Sequence, residues 1–198
     1  MAIPNVTRGG IKSARFLAAG TATRILLTPV VMGLILIPDD GDDTATLATV
    51  LFCVAAATDW IDGRLARRWS VTTKLGSFLD TTADKLLVSG VLIALLGAGR
   101  VSPWIVALIV GRELVLMGVR GVIASEGDVM APSMLGKLKT SVQFLAIALA
   151  ILRPGDEVGG LYVDEWAMLA AAAVTVWSAA DYLVRAWPAL VGTQEQRP

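Results

Sequence analysis

Apolar residues in this chain come in long blocks separated by short polar breaks. The blocks fall at about 21–37, 44–66, 77–98, 103–124, 133–152 and 163–186. Each is near the roughly 20 residues a helix needs to cross the hydrocarbon core of a bilayer. The breaks are Pro38 to Asp43, the basic stretch 67–75, Gly97 to Pro103, the stretch 125–132, and Arg153 to Glu157 with its neighbours. Turn formers and charges mark every one of them. The pattern predicts an all-α, polytopic membrane protein with six transmembrane helices. Residues 1–20 carry Arg8, Lys12 and Arg15 among small and apolar residues, which predicts a short interfacial helix leading into the first span. No repeat or low-complexity block divides residues 21–187, read as one membrane domain, and residues 188–198 read as a flexible tail.

Composition strengthens the membrane reading. Of 198 residues, 55 % are hydrophobic, and the mean hydropathy of +0.67 is too high for an ordinary soluble domain. Formal net charge is zero, so the placement of charge carries the information. Arg8, Lys12, Arg15, Arg67, Arg68, Lys74, Lys137, Lys139, Arg185 and Arg197 fall on one side of the predicted membrane. The other side has only Arg100 and Arg153, with acids such as Asp39, Asp40, Asp42 and Asp43. The positive-inside rule then puts both termini, and the loop after the second span, in the cytoplasm. Trp69 and Trp187 on one side, and Trp104 and Trp166 on the other, fit either interfacial belts or ordinary packing.

Chemistry concentrates in residues 59–84. Asp59 and Asp62 are helical i,i+3 neighbours, and Asp80 and Asp84 are i,i+4 neighbours, so each pair shares a helix face. The polar, basic stretch between them is long enough to turn the chain back, and a helical hairpin would gather the four carboxylates at one point. Negative charge gathered beside a bilayer is costly unless cations offset it. The chain has no histidine, and its one cysteine, Cys53, lies in an apolar run. Carboxylates without soft ligands favour a hard cation, Mg²⁺ or Mn²⁺ over Zn²⁺, and four negative charges would balance two divalent ions. Two such metals can clamp a diphosphate during an in-line displacement. A cytoplasmic face supplies nucleotides and the membrane supplies lipid, so a nucleotide diphosphate carrying lipid tails fits both. Gly63, Ala66 and Gly76 leave room beside the acids for a bulky group.

The same residues resemble the signature of the CDP-alcohol phosphotransferases, DxxDGxxARx8GxxxDxxxD. Asp59, Asp62, Gly63, Ala66, Arg67, Gly76, Asp80 and Asp84 match all eight fixed positions. A chance match is on the order of 1 in 10^10 per window, so the resemblance weighs far more than a short motif. It implies CDP-diacylglycerol as donor and two divalent ions held by Asp59, Asp62, Asp80 and Asp84. It implies that Asp84 is also the base that takes the acceptor's proton. It places Asp59, Gly63, Ala66, Arg67, Thr73 and Gly76 around the CDP-diacylglycerol head group. In the first span Thr21 and Arg24 match relatives, but Ala18 stands where those usually have asparagine, so no site residue is assigned there.

Arg112 and Glu113 follow each other in the fourth span, point to different sides of a helix, and need not pair. Arg112 lies too deep to stay unpaired, and an aspartate of another helix is one candidate partner. Arg112, Arg120, Lys137 and Lys139 together suggest a pocket for an anionic acceptor, with phosphate the obvious candidate. The phrase Gly111-Arg-Glu-Leu with Arg120, and then Gly136-Lys-Leu-Lys-Thr140, resembles the phosphatidylglycerophosphate synthase branch of the family. That branch implies glycerol 3-phosphate as acceptor, with phosphatidylglycerophosphate and CMP as products. Phosphatidylinositol phosphate synthase and cardiolipin synthase of the same family are the alternatives. Outside it stand a prenyltransferase, which usually has distant acidic motifs in a longer chain, and a cation or proton transporter, which would need acids across the bilayer. Family resemblance also implies a homodimer in a bacterial cytoplasmic membrane.

Overall fold

In a computed structural model the backbone is described for residues 8–38, 42–69, 74–125, 133–155 and 157–191. Within these, the side chains of 8–19, 42, 59–69, 74–77 and 189 are outside the description. The described chain is almost wholly helical: α1 (Arg8–Leu36), α2 (Asp42–Trp69), α3 (Lys74–Gly97), α4 (Pro103–Ser125), α5 (Met134–Leu152) and α6 (Val163–Val191). Each predicted span lies on one of these helices. The interfacial segment expected before the first span is not a separate element, because α1 runs unbroken through Gly20. Residues 11–19 contain no proline or turn former to stop a helix. At the other end α6 continues past the expected boundary at 187, to Val191.

The helices fall into two compact units, Met1–Gly99 and Arg100–Pro198. In the first, α1 packs along both α2 and α3. Among the described side chains of α1, Thr21, Arg24, Thr28, Val31 and Ile35 are buried, a stripe at helical spacing. On α3 the buried face includes Ala83, Leu87, Val88, Val91, Leu92 and Leu95. Gly90 permits the close approach of α1: a Cβ there would lie 2.9 Å from both Met32 Sδ and Thr28 Cγ2.

In the second unit α6 packs against both α4 and α5. Its buried stripe is Asp164, Met168, Ala171, Thr175, Ser178, Tyr182 and Ala186. Ser133 caps α5, its hydroxyl accepting from Gly136 N at 3.0 Å. Arg153 ends α5 in the left-handed region (φ 45°), and its N–H donates to Leu149 O at 2.7 Å.

Sequence reading did not foresee the small hairpin of β1 (Glu157–Val158) and β2 (Leu161–Tyr162) between α5 and α6. Gly159 and Gly160 turn it with φ of 66° and 85°, the paired left-handed geometry that favours adjacent glycines. This Gly-Gly pair was the available signal. Trp166 Nε1 donates to Val158 O at 2.8 Å and ties the hairpin to α6.

Large apolar side chains also cover outward faces, among them Leu26, Val30, Leu114, Val115, Leu145 and Trp177. Met134–Leu152 and Val163–Pro188 are long and apolar enough to cross a membrane. The charged Arg112, Glu113 and Arg120 of α4, and Asp80, Asp84 and Lys85 of α3, dilute those helices.

Candidate active site

The first unit carries the acidic motif. Asp59 and Asp62 lie on the helical backbone of α2, with side chains outside the described residues, as are those of Gly63, Ala66, Arg67 and Gly76. Thr73 is outside the described residues altogether. The expected meeting of four carboxylates therefore rests, in the described structure, on its α3 half. Asp80 and Asp84 stand one turn apart on α3, on either side of the buried Ala83.

Each has a cationic neighbour. Arg24 Nη2 donates to Asp80 Oδ1 at 2.6 Å. The Arg24 side chain is fully buried, whereas that of Asp80 is 40 % exposed. This geometry lets Arg24 brace the Asp80 carboxylate from behind while the carboxylate keeps an open side. Lys85 Nζ lies 3.2 Å from Asp84 Oδ2. Two partly open carboxylates, in a chain without histidine, form the kind of donor set a hard divalent cation takes. The described side chains thus include two of the four carboxylates expected in a metal centre, and no group of three or more candidate ligands stands together among them.

Arg24 was missed as a site residue because Ala18 removed the family's usual first-span pattern. Its signal was a lone arginine inside an apolar span, where an unpaired charge is costly.

The second unit carries the cations. Glu113 Oε1 accepts from Lys139 Nζ and, at 3.1 Å, from Arg112 Nη1. Arg112 Nη2 also donates to Ser178 Oγ at 2.8 Å. One buried cluster therefore links α4, α5 and α6. Arg112 pairs with the adjacent glutamate, a pairing the sequence left open, and among the described residues no aspartate of another helix pairs with it. A long guanidinium stem can curl back to its neighbour, and low dielectric rewards the pairing. Of the four proposed acceptor cations, Lys137 and Arg120 are exposed, Arg112 is partly buried, and Lys139 is almost enclosed. Arg120 sits 5.1 Å over the ring of Tyr182, a cation–π contact that fixes its stem. Glu113, the hub, was named in the sequence but given no site role there.

Residues 18–177 match the family model for CDP-alcohol phosphatidyltransferase, and the chain belongs to that enzyme family. Among curated proteins it is 38 % identical over 182 residues to a Bacillus subtilis (strain 168) protein, covering 86 % of this chain and 94 % of the relative. It is 36 % identical over 168 residues to one from Escherichia coli (strain K12), covering 82 % and 90 %. A Sodalis glossinidius relative is 40 % identical over 143 residues, covering 69 % and 76 %. All three bear the name CDP-diacylglycerol–glycerol-3-phosphate 3-phosphatidyltransferase.

Proposed function

We propose that this enzyme transfers the phosphatidyl group of CDP-diacylglycerol to glycerol 3-phosphate, giving phosphatidylglycerophosphate and CMP. The observation that carries this reading is the complete acidic signature at Asp59 to Asp84, in a chain similar along most of its length to relatives bearing that activity in their name.

Asp59, Asp62, Asp80 and Asp84 would hold two divalent ions, Mg²⁺ or Mn²⁺. When bound, the ions neutralise the diphosphate and favour departure of CMP. Gly63, Ala66, Arg67, Thr73 and Gly76 receive the nucleotide head group. Arg24 orients Asp80. Asp84 takes the proton of the acceptor hydroxyl. The oxygen then forms its bond to the phosphorus that bears diacylglycerol as the bond from that phosphorus to CMP breaks. Arg112, Arg120, Lys137 and Lys139 attract and hold the acceptor's phosphate. Residues 21–187 form one domain of six membrane spans, with both termini and the site facing the cytoplasm of a bacterium, and the protein works as a homodimer. The apolar outward faces and the distribution of lysine and arginine support this topology.

The test is CMP release by purified protein with CDP-diacylglycerol and, in parallel, glycerol 3-phosphate, inositol 1-phosphate or phosphatidylglycerol. Glycerol 3-phosphate should give the highest kcat/KM, and chelation of divalent ions should abolish turnover. Preference for either other acceptor would reassign the enzyme within its family. Full turnover after chelation would remove the metal centre.

A further inference from the structure

Two polar side chains beside the cation cluster have no function in the scheme above. Gln143 of α5 is 3 % exposed, and neither amide atom has a hydrogen-bond partner. Thr175 of α6 is fully buried, and its hydroxyl also has none. Native proteins rarely leave buried polar groups unsatisfied, so an orphan amide and an orphan hydroxyl point to something that completes them.

Their positions say what. Gln143 is one turn beyond Lys139 on α5, and Thr175 is one turn before Ser178 on α6. α4 and α6 run in the same sense, because Arg112 meets Ser178 and Arg120 meets Tyr182. α5, joined to α6 by a short hairpin and packed along it, runs the opposite way. Going forward on α5 and backward on α6 is therefore one direction, toward the α5–α6 connection. Each step is about 4.5–6 Å along its helix. Both orphan groups thus lie on the same side of the cluster formed by Lys139, Glu113, Arg112 and Ser178, on the two helices that pack together.

We propose that Gln143 and Thr175 bind the non-reacting hydroxyl of a polyol phosphate acceptor and so set specificity for it. This rests on the reading of Arg112 and Lys139 as holders of the acceptor's phosphate. A carboxamide and a hydroxyl can each donate and accept, which matches an alcohol, itself donor and acceptor. In glycerol 3-phosphate that alcohol is on the carbon next to the phosphate-bearing one, a separation suited to neighbouring subsites. A site built to hydrogen-bond a hydroxyl strongly rejects an analogue lacking it, because its own buried groups are then left unpaired.

The experiment compares glycerol 3-phosphate with 3-hydroxypropyl phosphate, which keeps the phosphate and the reacting alcohol but lacks the middle hydroxyl. It uses the full chain and its variants Gln143→Leu, Thr175→Val and Thr175→Ser. The unaltered protein should prefer glycerol 3-phosphate by about 100-fold or more in kcat/KM. Thr175→Val and Gln143→Leu should each cut that preference at least about tenfold, by losing rate on glycerol 3-phosphate while keeping it on the analogue. Thr175→Ser, which retains the hydroxyl, should keep the preference. Thr175→Val is nearly isosteric and carries the test by itself if Gln143→Leu does not fold. Equal losses on both acceptors, or a preference unchanged in Thr175→Val, would overturn the proposal and leave the two groups to a structural water or to packing. Failure of the unaltered protein to use glycerol 3-phosphate would overturn it together with the proposed function, whereas the other outcomes leave that function standing.

Discussion

The two halves of this protein solve opposite electrostatic problems. Among the described residues, the α1–α3 unit sets one fully buried cation, Arg24, against the partly exposed Asp80. The α4–α6 unit sets one buried anion, Glu113, between Arg112 and Lys139. Apolar helices can carry such charges only in compensated groups, and which partner remains open indicates what each group can receive. An open carboxylate supported by a cation suits a metal ion. A surplus of cations gathered on a carboxylate suits an anion. In each unit, packed apolar helices hold a buried charge beside a partner of opposite sign.

The largest effect should come from Asp84. Asp84→Asn retains the shape and an oxygen ligand but cannot take the acceptor's proton, so turnover should fall about 10²–10⁴-fold. CDP-diacylglycerol affinity, read by titration on the same purified variant, should fall far less. Proportional loss of both would make Asp84 chiefly a metal ligand.

Glu113→Gln comes next and probes the other half. Lys139 and Glu113 are both nearly enclosed, at 5 % and 4 % side-chain exposure, so removing the anion strands buried positive charge. Breaking a buried pair in this way typically costs about 3–5 kcal/mol. Thermal unfolding in detergent should show the loss, and the apparent KM for glycerol 3-phosphate should rise more than that for CDP-diacylglycerol. A stability unchanged from the parent would mean that Glu113 does not hold the cations.

Arg24→Gln should destabilise less, by about 1–3 kcal/mol, because the abandoned Asp80 is open enough to be solvated. Its signature lies in metal dependence: half-maximal activity should need more Mn²⁺. An unaltered Mn²⁺ titration would reduce Arg24 to a packing residue. If the two charge variants destabilise equally, the contrast between an enclosed pair and a half-open one is wrong.

Smallest in functional terms is Gly90→Val. The added carbons meet Thr28 and Met32 of α1, so stability should drop by about 1–3 kcal/mol. Below the variant's melting temperature the acceptor KM should be unchanged, since this contact belongs to the acidic unit alone. A changed acceptor KM would show that the two chemistries are less separable than the charges imply.

The sequence by itself determined the helices and the family. Blocks of apolar residues near the length of a membrane span placed all six helices, because a continuous apolar run needs its backbone bonds satisfied within the segment. The aspartates were legible too, since i,i+3 and i,i+4 spacing fixes a shared face once the helix exists. What the sequence could not supply was partnership between distant positions. Arg24 and Asp80 are 56 residues apart, and Lys139 and Glu113 are 26 apart, so only the packing of α1 on α3 and the bundling of α4, α5 and α6 could pair them. Even for adjacent Arg112 and Glu113 the sequence left pairing open, because Cα direction does not say where long stems travel once Ser178 and Lys139 are near. Orphan groups such as those of Gln143 and Thr175 are likewise invisible in sequence: a polar side chain lacks a partner only with respect to everything folded around it.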